Sequence, residues 1–139
     1  MLKKKLLEVG LDFDFKLLAI TAQLRDYRLC HIINKYTESD FEKSDDLVIS
    51  FKNTGTKYYS CYTYFPDNVE CYFTLLSNRG TDGLLIPEMK EIDFFIIIKE
   101  FIDDEDFDLF FAQLKQIPEI QAVAELNPNK LKSKENLIF

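Results

Sequence analysis

The chain predicts a small α+β domain: an antiparallel sheet of about five to six strands with two helices on one face. Three observations carry that expectation. Phe94–Ile98 is an unbroken run of aromatic and β-branched residues with Pro87 ahead of it. Such a run suits a strand buried on both faces, because a strand with one wet face would alternate. Shortly after it, Phe107, Phe110, Phe111, Leu114 and Ile117 recur at helical spacing, the stripe of a helix packed on that strand. The other apolar runs are mostly short and bounded by turn residues, the pattern of strands and hairpins.

Composition limits the rest. At 139 residues the chain is one domain, long enough to bury roughly two thirds of the surface its unfolded form exposes. Hydrophobic residues make up 47 % of it, and only 4 Gly and 4 Pro leave little room for flexible linkers. Residues 1–12 read as a tail or edge strand, 13–127 as the single domain and 128–139 as a C-terminal tail. The net charge of −7 repels polyanions, so nucleic acid is not an expected partner. Cys30, Cys61 and Cys71 contain no Cys-x-x-Cys pair and read as reduced thiols of a cytoplasmic protein. Lys3–Lys5 with Leu6-Leu7 mimics a signal peptide, but Glu8 and Asp12 interrupt it at once. Nothing approaches the roughly 18 apolar residues of a membrane helix, so no membrane association is expected.

Taken in order, Phe13–Thr21 alternates and then runs apolar, a first strand. Thr21 is the N-cap signal of a helix to Tyr36, with Leu29, Ile32, Ile33 and Tyr36 inward and Arg25, Asp26, Arg28 and Lys35 in water. This is preferred to one longer helix over 16–36. Thr37–Asp46 is a loop, Leu47–Phe51 a strand, and Asn53–Thr56 a turn. Tyr58–Phe65 and Val69–Ser77 follow as strands of a hairpin closed by Pro66-Asp67-Asn68, and Asn78–Gly83 is a loop. The strand at 92–101 leads to a helix capped by Asp103 or Asp104, whose first turn is acidic as the helix dipole favours. Pro118 stops that helix, and Ile120–Leu126 is the last strand. The β-α-β(n)-α-β order suggests a ferredoxin-like, split-βαβ sheet with an added hairpin and its second face partly open.

Register decides which residues meet water. A three-residue tip sets Phe65 across from Val69. Tyr59, Cys61, Thr63 and Phe65 then share an inner face with Val69, Cys71, Phe73 and Leu75. The outer face carries Tyr58, Tyr62, Tyr64 and Tyr72, with Tyr62 across from Tyr72. An aromatic, uncharged face of this kind fits a protein contact. It predicts a homodimer, or an unidentified protein partner, joined across these tyrosines.

Ile86-Pro87-Glu88, then Ile92-Asp93-Phe94, resembles the signature of the bacterial IPExxxVDY family, with Ile92 in place of Val and Phe94 in place of Tyr. Asp12–Phe15 and Leu24–Leu29, continuing to Asn34, resemble its N-terminal half. The resemblance implies a bacterial, cytoplasmic protein and no particular activity. In the motif, Pro87 fits a strand entrance because it fixes the geometry of Ile86. Glu88 and Asp93 are expected to cap backbone amides or to meet Arg25 or Arg28.

Catalytic chemistry finds no support. His31 adjoins Cys30 on a helix, where neighbours point about 100° apart, so the two form no dyad. The cysteine and histidine spacings match no zinc pairing. The acidic run 103–108 lacks the glycine and terminal glutamate of a calcium loop. No nucleophile, base and orienting group assemble, and no cofactor or metal is expected. The preferred reading is a non-catalytic, self-associating interaction module. The alternative is a small-molecule or peptide-binding domain, its pocket between the sheet face and the 78–88 loop, with Arg79 and Glu88 as polar contacts.

Overall fold

The apolar run 94–98 lies at the centre of the molecule. The computed structural model describes residues 15–67, 69–100, 102–137 and 139; the expectation for 1–12 lies outside them. In chain order the elements are β1 (Lys16–Thr21), α1 (Asp26–Thr37), β2 (Glu42–Lys43), β3 (Leu47–Phe51), β4 (Gly55–Tyr59), β5 (Cys61–Tyr64) and β6 (Tyr72–Ser77). Then come β7 (Arg79–Gly80), β8 (Gly83–Leu84), β9 (Phe94–Lys99), α2 (Asp104–Lys115) and β10 (Ala122–Leu126), with short 3₁₀ turns at Pro128–Lys130 and Lys134–Leu137. The fold is α+β. Its main sheet has six strands in the order β10-β1-β9-β6-β5-β2, every neighbouring pair antiparallel. β3 with β4 and β7 with β8 form two separate ribbons.

β9 is buried on both faces, as its sequence requires. Phe94, Ile96 and Ile98 pack toward the helices, beside Leu29 and Ile33 of α1 and Phe107, Phe110 and Leu114 of α2. Phe95 and Ile97 pack on the opposite side with Leu17, Ala19 and Leu76. Each such side chain contributes roughly 1.5–3 kcal/mol when fully buried. A run buried on both faces needs a cover on both, and the second face is not open as expected. The β3–β4 ribbon, residues 85–92 and the C-terminal segment close it, burying Tyr59, Leu85, Ile86, Ile92, Leu131 and Leu137.

The two helices start in different ways. α2 is capped by Asp103, whose Oδ1 accepts from the Asp106 N–H at 2.8 Å. α1 does not start at Thr21. That residue stays in β1, paired with Ala122, and its hydroxyl donates to Glu91 O. The N-cap is Arg25, which makes no side-chain capping bond. Leu29, Cys30, Ile32 and Ile33 face the core, while Tyr36 is exposed. Asn34 closes the far end: its carbonyl accepts from Ser39 N–H, and its side chain exchanges bonds with both backbone groups of Phe41.

The β5–β6 register overturns the expected tip. The innermost pair is Tyr64 with Phe73, and Tyr62 faces Leu75 rather than Tyr72. Residues 65–72 separate that pair, an even number instead of three, so one strand is inverted relative to the other. Tyr62 therefore packs beneath the helices with Phe73 and Leu75, and Cys61 joins the opposite core. The expected strand 58–65 is also two: the chain leaves the β3–β4 ribbon at Tyr59 and enters the main sheet at Cys61.

Candidate functional site

A cleft opens at the end of the sheet where β1 and β6 finish and β9 begins. Asp93 builds its floor. Just ahead of β9, it donates its N–H to Ile20 O at 2.9 Å. Its Oδ2 accepts the Ala22 N–H at 2.9 Å, and its Oδ1 accepts Arg79 Nε–H at 2.8 Å. The bond from Ala22 ties the end of β1 to the start of β9, and α1 begins four residues later. Arg79 is fixed again by Nη2, which donates to Lys90 O. A carboxylate only 6 % exposed is thus fully engaged, as a buried charge must be.

The wall behind Arg79 depends on Asn78, which is wholly buried. Its Oδ1 accepts from Ile86 N–H, and its Nδ2 donates to Met89 O and Ile92 O. These bonds satisfy backbone groups that irregular chain cannot satisfy for itself. Pro87 sits at the second position of the turn closed by Met89 N–H to Ile86 O, where its fixed φ is favourable, and not at a strand entrance. Gly80 lets β7 pass closely over Tyr59: a Cβ there would stand 2.5 Å from Tyr59 Cε1 and 2.7 Å from Tyr58 O.

Asp26, the first residue of α1, forms the opposite wall. Tyr62 Oη donates to its Oδ2 at 3.1 Å. Burial pushes the Asp26 carboxyl up, but the bonds it accepts from Ser60, the Tyr27 N–H, Tyr62 and its own N–H outweigh that and hold it below the usual range. Burial, and then this negative charge, push the Tyr62 phenol up. The result is an open cleft of about 460 Å³ whose polar lining includes Gln23, Arg25, Asp26, Ser60, Ser77 and Arg79. It offers guanidinium donors, one carboxylate acceptor and two hydroxyls.

The expected site residues separate. Tyr58 is exposed on β4, in the ribbon. Tyr62 is buried under α1. Tyr64 lies in a ring cluster, 5.5 Å from Phe41 and 5.6 Å from Phe73 between centroids. Tyr72 stacks on Phe65 at 5.4 Å. These four rings do not form one outward face. Arg79 does line the cleft, but Glu88 does not: it accepts from Ser133 N–H and Oγ–H at 2.8 and 2.9 Å. Burial raises the Glu88 pKa, yet the Ser133 amide and the other donors bring it below the ordinary value. Both signature carboxylates therefore cap backbone amides, and Asp93 takes Arg79 in place of Arg25 or Arg28.

No known family, curated protein or solved structure matches this chain. Its own chemistry must carry the functional reading. Burial, followed by the charges of Asp26 and Asp40, pushes the Cys30 thiol up to about 11, and burial raises Cys61 and Cys71 as well. All three are buried, neutral thiols at neutral pH and poor nucleophiles. Among the described residues no helix is long and apolar enough to cross a membrane, and no cluster of His, Cys, Asp or Glu could hold a metal ion.

Asp26, Ser60, Ser77 and Asn78 were missed as site residues. A capping residue buried in an irregular stretch has no periodic signature, and Asn78 beside Arg79-Gly80 looks like ordinary turn composition.

Proposed function

We propose that this protein is a non-catalytic binding domain that holds a small polar molecule in the cleft between the start of α1 and Arg79. One observation carries the reading: Arg25, Arg79, Asp26, Ser60 and Ser77 converge on an open cavity of about 460 Å³. That volume is within the range of small-molecule sites, which combine a formed cavity with a few convergent polar groups. The two guanidinium groups suit a carboxylate or phosphate, and ionised Asp26 suits an amine, so the ligand carries both charges. Asp93 is fully engaged and serves as scaffold.

This reading fits the wider expectations. The strand order supports a split-βαβ, ferredoxin-like sheet, with β5 and β2 as its extension. The signature resembling the IPExxxVDY family becomes the clamp that shapes one wall of the cleft. Buried thiols agree with a cytoplasmic setting. Self-association through Tyr58, Tyr62, Tyr64 and Tyr72 would need a surface these residues do not share, and the cleft does not depend on it.

A thermal-shift screen of small charged metabolites tests the proposal. A ligand present at about a hundredfold its Kd adds roughly 2.7 kcal/mol of stability. Compounds that raise the melting temperature of the native protein should lose that effect in Arg25→Gln and Ser60→Ala, both at the cleft rim. A library without stabilising compounds, or shifts unchanged in both variants, would contradict it.

A further inference from the structure

At the opposite end of the sheet lies a second cavity, of about 250 Å³, between the β5–β6 connection and α2. Its floor is apolar: Tyr64, Phe73, Ile102 and Phe110 line it, and Val69 and Leu109 stand at its mouth. Those last two are 51 % and 58 % exposed. Large apolar side chains left in water at the mouth of a formed groove mark a contact site.

The charge that the described residues bring to this groove is acidic. Asp106 lines it directly, and among the described residues no lysine or arginine does. Asp67 and Asp40 bear on Tyr64, and Asp106 and Asp103 on Cys71. Asp104 and Glu105 add to the first turn of α2. An apolar floor inside an acidic rim rejects nucleic acid and acidic peptides. It complements a segment that buries aliphatic side chains and presents lysines or arginines to the rim.

We infer that this groove docks a lysine-rich segment of a partner protein, one or two of whose leucine-like side chains fill the space between Val69, Leu109 and Phe110. The site is separate from the cleft and does not rest on the reading given for it.

The probe is a short fluorescein-labelled peptide of lysines flanking two leucines, followed by fluorescence anisotropy with the full chain. Binding is expected, weakening as salt rises. It should fall about tenfold or more in Leu109→Lys, which excludes one aliphatic side chain and adds a like charge. Val69→Lys gives the same test on a second element should Leu109→Lys fail to fold. The same peptide with glutamate for lysine should not bind, and Arg25→Gln should bind as the native protein does. Absence of binding to the native chain, or equal affinity in Val69→Lys and Leu109→Lys, overturns the inference. Binding that emerges only after Lys3→Glu, Lys4→Glu and Lys5→Glu overturns a partner as occupant and assigns the groove to the chain's own basic run.

Discussion

The two faces of the sheet are covered by different means. On one, α1 and α2 lie over Leu18, Ile20, Phe73, Leu75 and Ile96; their backbones satisfy themselves, and the contact is almost wholly apolar. On the other, the cover is a ribbon, a loop and a C-terminal segment, and polar side chains hold it in place. Asn78 grips 86–92, Asp93 grips Arg79, Glu88 grips Ser133, and Asn136 Nδ2 donates to Leu85 O. Irregular chain can cover a core only where side chains replace the hydrogen bonds a helix would make internally. The candidate cleft opens where the two kinds of cover meet.

This contrast predicts different sensitivities. On the polar-clamped face, Asn78→Leu strands three backbone groups, two of them buried, at about 1–3 kcal/mol for each buried one, a loss of roughly 3 kcal/mol or more in urea denaturation. Leu114→Ala on the helical face should lose roughly 2–5 kcal/mol through a cavity. A near-neutral Asn78→Leu would erase the distinction. Gly80→Ala comes next, at roughly 1–3 kcal/mol, since its Cβ must displace Tyr59 or the backbone of β4. Wild-type stability there would mean β7 stands further off.

The smallest effect sharpens the cleft. Tyr62→Phe removes the bond to Asp26 at a cost of about 1 kcal/mol. It should also change the pH dependence. Asp26 and Glu88 both have folded pKa values below their ordinary ones, so their contribution is complete above about pH 4–5 and is lost as pH falls through the folded values. Tyr62→Phe should make the acid-side loss shallower. An unchanged acid limb would mean the phenol does not support the carboxylate.

Much of this architecture was legible in the chain. The run 94–98, the stripe from Phe107 to Leu114 and the Asp103 cap are local signals that tertiary structure reinforced. Two readings failed for physical reasons. Thr21 has the composition of an N-cap, but pairing with Ala122 keeps it in the sheet. A three-residue tip turns the tyrosines of β5 outward, whereas the observed register sets Tyr62 across from Leu75 and turns it into the core; a tyrosine is mostly apolar ring and can be buried when its tip finds a partner. Tyr62 found Asp26, far from it in sequence. Of the cleft, the sequence points to Arg79 as a polar contact and to Asp93 as a cap for a backbone amide; the rest assembles from short segments that carry no pattern alone.

The decisive measurement is native-state hydrogen exchange of the Ile86 amide, read by NMR. It donates to the buried side chain of Asn78 and belongs to no helix or strand. If side-chain clamps make the irregular cover as rigid as the core, this amide exchanges nearly as slowly as those of β9. Exchange at the rate of exposed loop amides would show the cover opening independently, and the cleft would lose its formed wall.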